Sequence, residues 1–139
     1  MTLQDTGWNR IKIAIQTMDK KKVEIGLLDN KNNIATIGFF NEFGTRHIPE
    51  RSFIRTTVKI NKDDFLSLAR DRIKKLILGS ITSDKILQDS GQYWEYKIMK
   101  AIKDFSSPAN APSTIRQKGF NNPLIHHSLM LASIKYKVK

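Results

Sequence analysis

Hydrophobic positions along the chain follow two periods, one near 3.6 residues and one of 2, and these divide the sequence into a short series of elements. Trp8, Ile11, Ile15 and Met18 recur at helical spacing, which predicts an amphipathic helix over Asp5–Met18 with Asp5 or Thr6 at its cap. Lys22–Leu28 then alternates polar and apolar residues before two leucines, the pattern of a strand with one buried face. Asp29–Asn33 reads as a polar turn. Ile34–Phe43 fits two patterns: Ile34, Ile37 and Asn41 suit a short helix, whereas Ile34, Thr36 and the phenylalanines suit a returning strand. A helix is the expectation, with Gly44 taking the left-handed conformation at its end and a connection running on to Pro49.

Downstream, Phe65, Leu68, Ala69, Ile73, Leu76 and Ile77 share a stripe, and Arg70, Asp71, Lys74 and Lys75 take the other side. A helix is therefore expected from Asn61 to Leu78, stopped by Gly79. The next begins near Ser83, with Leu87, Trp94, Ile98, Ala101, Ile102 and Phe105 inward and Lys97, Lys100 and Lys103 outward. Gly91 weakens it by about 1 kcal/mol relative to Ala and permits close packing. Ser106–Asn110 is a break, Ser113–Lys118 a single helical turn after Pro112, and Gly119–Pro123 another loop. At the end of the chain Ile134, Tyr136 and Val138 alternate with Lys135, Lys137 and Lys139, giving a strand with an apolar inner face and a cationic outer one. Its natural partner is the Val23–Leu28 strand. These elements predict an α+β fold, with residues 1–139 as one compact domain. A small antiparallel sheet, Lys22–Leu28 with Ser133–Lys139, packs against about three amphipathic helices, and loops 44–52 and 106–123 protrude.

Composition narrows the function classes. A length of 139 residues suits one domain that buries roughly 68% of its unfolded surface. With 40% hydrophobic and 27% charged residues the chain has a globular composition, and without cysteine it has neither disulfides nor thiolate metal sites. The N-terminal residues lack a signal-peptide pattern, and no stretch approaches the ~20 apolar residues of a membrane span. No membrane partner is expected, and synthesis in the cytoplasm is the default. The net charge of +11 is the outlier. All 13 carboxylates lie in residues 1–104, whereas residues 105–139 carry five Lys or Arg, two His and no carboxylate. Such a balance suits an anionic partner, or a solvated basic face that keeps the protein soluble.

Candidate chemistry is sparse. His126 and His127 are adjacent, so they point in different directions on helix or strand, and no Cys or nearby carboxylate completes a metal shell. Ser128 beside His127 has neither an elbow motif nor an orienting carboxylate. No glycine loop has the spacing that cradles phosphate, and Asp63-Asp64 sits where a helix start favours negative charge. The sequence therefore offers no catalytic, cofactor or metal residues, and an enzyme is not expected. Single-strand binders need exposed aromatics among basic residues, but Phe39, Phe40, Phe43, Phe65, Trp94 and Phe105 mostly fall on expected core stripes. No helix has the side chains of a major-groove reader. Lys135, Lys137 and Lys139 remain candidates for nonspecific contact with DNA.

Three blocks, in order, resemble the tail-completion, or head-tail joining, proteins of long-tailed bacteriophages. The first is Val23–Leu28, followed by Ile34–Ile37 and Asn41-Glu42-Phe43-Gly44-Thr45. The second is Ile48-Pro49-Glu50-Arg51-Ser52-Phe53-Ile54-Arg55, similar to the family's Ile-Pro, small residue, Arg-Pro-Phe and hydrophobic-Arg pattern. The third is Asn110–Ile115 with Lys118-Gly119, Pro123-Leu124-Ile125 and Ser133-Ile134. Each block is short; the combination covers most of the chain from Val23 onward. Glu50 and Ser52 stand where the family tends to have Ala and Pro, and His127-Ser128 replace its Thr-Gly, which puts the turn before Ser133 in question.

The resemblance implies a non-enzymatic virion component, made in the host cytoplasm and located in the neck. It would complete the tail and join it to the head connector, as a self-associated ring of six. Its implied partners are a tail-tube or tail-terminator protein, the head connector and, by nonspecific contact, DNA in the channel. Candidate interface residues are Glu42, Phe43, Gly44, Arg46, Arg51, Phe53 and Arg55, with Pro112, Arg116 and Lys118 in the later loop. The arginines could bridge to a neighbour's carboxylates or carbonyls. The alternative is that Phe43 and Phe53 are core anchors and the arginines are solvated. On the interface reading, Ala at both Arg51 and Arg55 blocks joining without unfolding the subunit. Two other functions remain open: a small basic DNA-binding protein and a regulatory protein that binds an acidic client.

Overall fold

Ser83–Asp104 (α4) has the cleanest amphipathic pattern and forms the axis of the computed structural model, which describes residues 6–28, 33–124 and 128–139. Ile86, Leu87, Gly91, Ile98 and Ile102 are buried along it. Thr82 caps its start, its Oγ1 accepting the Lys85 N–H at 3.2 Å, and Asp84 adds favourable charge in the first turn. The other elements are Thr6–Asp19 (α1), Val23–Leu27 (β1), Ile34–Phe43 (α2), Phe53–Ile77 (α3), Pro112–Lys118 (α5), Leu129–Ser133 (α6) and Ile134–Val138 (β2). The fold is a single compact α+β domain, with the sheet on one side of α4 and α3 along another.

The two terminal thirds meet in the sheet. β1 and β2 pair antiparallel with Val23 opposite Val138, Ile25 opposite Tyr136 and Leu27 opposite Ile134. Reciprocal bonds between Lys22 and Lys139, each 2.8 Å, extend the ladder by one step. Tyr136 lies directly on Gly91, where an added Cβ would run into the ring, so this glycine is a packing contact between α4 and β2. The core joins Ile34, Phe53, Ile98, Ile102, Leu124, Met130 and Ile134, which ties α2, α3, α4 and the chain end into one cluster.

Three expectations about the helices change. α3 starts at Phe53 rather than Asn61, because Phe53 and Thr57 are buried in its first turns and its N-terminus is capped from outside the helix. Ile73 and Ile77, expected in the stripe of α3, are exposed. On α1, Trp8 and Ile15 are exposed, whereas Gly7, Ile11, Ala14 and Met18 lie on the partly covered side. The stripes 8/11/15/18 and 7/11/14/18 share two positions, so periodicity alone could not choose between them. Ser128 adopts φ 57° at the start of α6, the left-handed conformation that glycine takes most readily. The His126-His127 pair and most of the Asp29–Asn33 turn lie outside the described residues.

Candidate assembly interface

α2 is rotated in an unexpected way. Its buried positions are Ile34, Gly38, Asn41 and Glu42, while Phe39, Phe40 and Phe43 are 40% to 57% exposed. The cause is Gly38, which packs so closely on Leu27 of β1 that a Cβ there would collide with the leucine side chain. Turning Gly38 inward puts residues 39, 40 and 43 outward at about 100° per residue. These phenylalanines, expected on core stripes, instead form a surface cluster with ring centroids 4.8 Å apart for Phe39 and Phe43 and 6.2 Å for Phe39 and Phe40. An open notch of about 200 Å³ lies beside them, between Leu27, Gly38, Phe39, Phe43 and Ile54.

Two buried polar side chains hold this surface in place. Glu42, only 4% exposed, points its carboxylate at the start of α3, where Oε2 accepts the Ile54 N–H and Oε1 the Arg55 N–H, both at 2.9 Å. A carboxylate at a helix N-terminus satisfies free amides and meets the positive end of the helix dipole. Oε1 also accepts Arg55 Nε at 3.0 Å, and Arg55 Nη2 donates to the Glu42 carbonyl and to Glu50 Oε1, each at 2.7 Å. The hydrogen bond to Glu42 is the main cause that raises the Arg55 pKa. The same guanidinium lies 4.5 Å from the Phe43 ring centre, so it braces one edge of the aromatic cluster.

Arg51, 7% exposed, does for the backbone what Glu42 does for the helix start. Its Nε donates to the Pro108 carbonyl at 3.0 Å, Nη2 to the Ala109 carbonyl at 3.1 Å and Nη1 to Asn41 Oδ1 at 3.2 Å. Its own N–H donates to the Asn41 carbonyl at 2.6 Å. One side chain thus joins Asn41 of the first sequence block to the segment that enters the third. Burial pushes the Arg51 pKa down; it does the same to Lys118, with a further push from Arg51.

Segment 44–52 is tied at its base and bonded within itself, while Thr45, Arg46, His47, Pro49 and Glu50 are exposed. Thr45 Oγ1 accepts the His47 and Ile48 amides at 3.2 and 3.0 Å, and Thr45 N–H donates to the Ile48 carbonyl at 2.8 Å. Gly44, at φ 73°, sits so near the Glu50 backbone that any Cβ would be 2.9 Å from the Glu50 nitrogen. Gly44 has the expected positive φ, but with ψ 171° it is extended and does not take the left-handed helical conformation expected at this helix end. The 106–123 segment contains α5, with Pro112 at its start and Gly119 at its C-cap in the left-handed conformation.

The candidate interface residues therefore separate. Phe43, Arg46, Arg55, Pro112 and Arg116 are exposed. Glu42, Arg51 and Phe53, the last only 1% exposed, are internal and cannot reach a partner from the folded subunit. Phe53 is a core anchor, as the alternative reading had it, but that reading fails for Phe43, which is exposed, and for Arg51, which is buried. Gly44 serves the backbone, and half-buried Lys118 donates to the Asn122 carbonyl at 3.4 Å. With Arg51 internal, the double Ala substitution at Arg51 and Arg55 would perturb the fold, and does not separate joining from folding. Phe39 and Phe40 were missed as surface residues; Gly38, four positions from each of Ile34 and Glu42, was the available signal.

The outer face of β2 is also less cationic than the lysines suggest. Lys139 Nζ is 2.6 Å from Glu24 Oε2, and Lys135 Nζ is 3.9 Å from Glu95. Lys137 is exposed, opposite Glu24 in the ladder. Glu24 is held below the usual carboxylate range, chiefly by its hydrogen bond with Lys139. Among the described residues no group of three or more His, Asp or Glu is placed to hold a metal ion, and no helix is long and apolar enough to cross a membrane. Comparison of the chain with protein-family models, curated proteins and solved structures finds no match in any of the three.

Proposed function

We propose that this chain is a structural virion protein of the phage neck, which completes the tail and joins it to the head connector as a ring, with six copies as the expected number. The observation that carries the reading is the exposed Phe39, Phe40 and Phe43 cluster, mounted on the rigid unit that Glu42 and Arg51 build from the three sequence blocks. Three neighbouring aromatics exposed on one short helix are expensive for a solitary soluble protein, and they are the residue type that anchors protein interfaces. Because the unit is held by a network of buried and part-buried hydrogen bonds, it presents the rings with little ordering cost on binding. A ring closes through contacts between two different patches, and the aromatic cluster supplies one of them. The net charge of +11 opposes close packing of identical copies, so acidic neighbours or DNA in the channel offset it.

DNA binding by β2 alone is less favoured, since Lys135 and Lys139 have carboxylate neighbours and Tyr136 packs on Gly91. The test is Phe39→Ser combined with Phe43→Ser. The variant subunit keeps its thermal midpoint within a few degrees, as both sites are exposed, while complementation yields separate heads and tails. Normal joined particles from this variant would remove the proposed interface.

A further inference from the structure

α3 spans 25 residues, about 37 Å, yet only one side of it is used within the subunit. That side meets α4, with Phe65 packed against Tyr93 and Trp94 at ring separations of 5.5 and 5.0 Å. α1 reaches the far end, where Arg10 Nη2 donates to the Ile77 carbonyl at 2.6 Å. On the outward side Leu66, Ile73 and Ile77 are 39% to 45% exposed. With Arg70 they occupy positions i, i+4, i+7 and i+11, a second seam of 3-4 spacing about 16 Å long. It differs from the aromatic cluster on α2 in both element and chemistry.

Charges flank this seam with one sign in excess. Lys59, Lys62, Arg70 and Lys74 lie on the same exposed half of the helix, against Asp63, for a net of +3. None of Lys59, Lys62 and Arg70 is ion-paired among the described residues, whereas nearby Asp71 is already engaged by Lys75 at 2.9 Å. We infer that the outward face of α3 is a docking surface for an acidic amphipathic helix of another protein, its apolar seam lying on Leu66, Ile73 and Ile77 and its carboxylates beside the flanking cations. A second copy of this chain is disfavoured because it brings the same cations to the seam. Duplex DNA would use the cations but leave the three aliphatic side chains against phosphates. A helix with both features satisfies both halves of the surface.

The inference stands independently of the neck assignment and is tested on the full-length protein. The probe is a fluorescent synthetic helix of about three heptads with leucines at the seam and glutamates beside them. Its controls are a peptide of the same composition in scrambled order and a short DNA duplex. Anisotropy should show the amphipathic peptide binding at least about tenfold tighter than the scrambled one, with affinity falling as salt is raised. Leu66→Glu with Ile73→Glu should abolish this preference while circular dichroism and thermal midpoint stay near wild type, and Lys62→Gln with Arg70→Gln should weaken it and reduce the salt dependence. Equal binding of ordered and scrambled peptides would overturn the inference. So would duplex binding lost through the same Leu66 and Ile73 changes, or sedimentation showing that those changes act by breaking a self-associated form.

Discussion

Arg51→Met removes a buried guanidinium and keeps much of its volume, so it isolates the hydrogen bonds that join Asn41 to the Pro108–Ala109 segment. Each acceptor left without a donor costs about 1–3 kcal/mol when water cannot replace the bond. The bond to Asn41 Oδ1 is buried, but those to the Pro108 and Ala109 carbonyls are only partly so, and water will restore some of their loss. These terms sum to about 3–5 kcal/mol, and relief of the desolvation that already lowers the Arg51 pKa offsets part of that loss. A net loss of about 2–4 kcal/mol remains, which for a domain of this size lowers the midpoint by roughly 8–16 °C. Arg51→Lys keeps the charge but offers one ammonium in place of a planar fork, so its midpoint should fall between wild type and Arg51→Met. Thermal and urea melts measure the loss, and limited proteolysis should show faster cleavage in residues 106–111 of the Met variant. Stability of Arg51→Met within about 1 kcal/mol of wild type would refute the reasoning, because the network would then not hold the segments together.

Further changes test other parts of the fold. Gly44→Ala should destabilise by about 2–4 kcal/mol in a urea melt, since it adds unfavourable positive φ to a collision with the Glu50 backbone. Ser128→Gly should instead stabilise by about 0.5–1 kcal/mol, the relief of left-handed strain exceeding the entropy that glycine adds to the unfolded chain. The lowered pKa of Glu24 means that its contribution is fully present above the ordinary carboxylate range and is lost as pH falls through the folded-state value. Glu24→Gln should therefore flatten part of the acid limb of a stability-versus-pH curve, by a small and salt-sensitive amount because the group is exposed; an unchanged acid limb at low salt would contradict the pairing with Lys139.

Much of the fold was legible where the information is local. The paired strands follow from the alternation at Val23–Leu27 and Ile134–Val138, and α4 from its long apolar stripe beginning near Ser83. The start of α3 was hidden because its capping carboxylate comes from Glu42, twelve residues upstream of Ile54, whereas cap rules examine the adjoining residues. The orientation of α2 was hidden for a related reason. A contact between Gly38 and Leu27 decides which side turns inward, and it overrides the hydrophobicity of three phenylalanines. At the candidate site the sequence singled out blocks that Arg51 links in the structure, but not the division of labour within them. Glu42, Arg51 and Phe53 build the support, and Phe39, Phe40 and Phe43 form the surface it displays. A charged residue in a turn-rich segment reads as solvated unless its distant acceptors are known, and those of Arg51 lie nearly sixty residues away.

The central claim is that this chain is assembly hardware at the junction of head and tail. Cryo-electron microscopy of tailed particles made by the genome that encodes it, beside particles made with the gene deleted, tests that claim most directly. The account predicts a ring of this subunit at the neck, with α2 phenylalanines at a contact, and unjoined heads and tails when the gene is absent. Complete, joined particles that lack the subunit would contradict it.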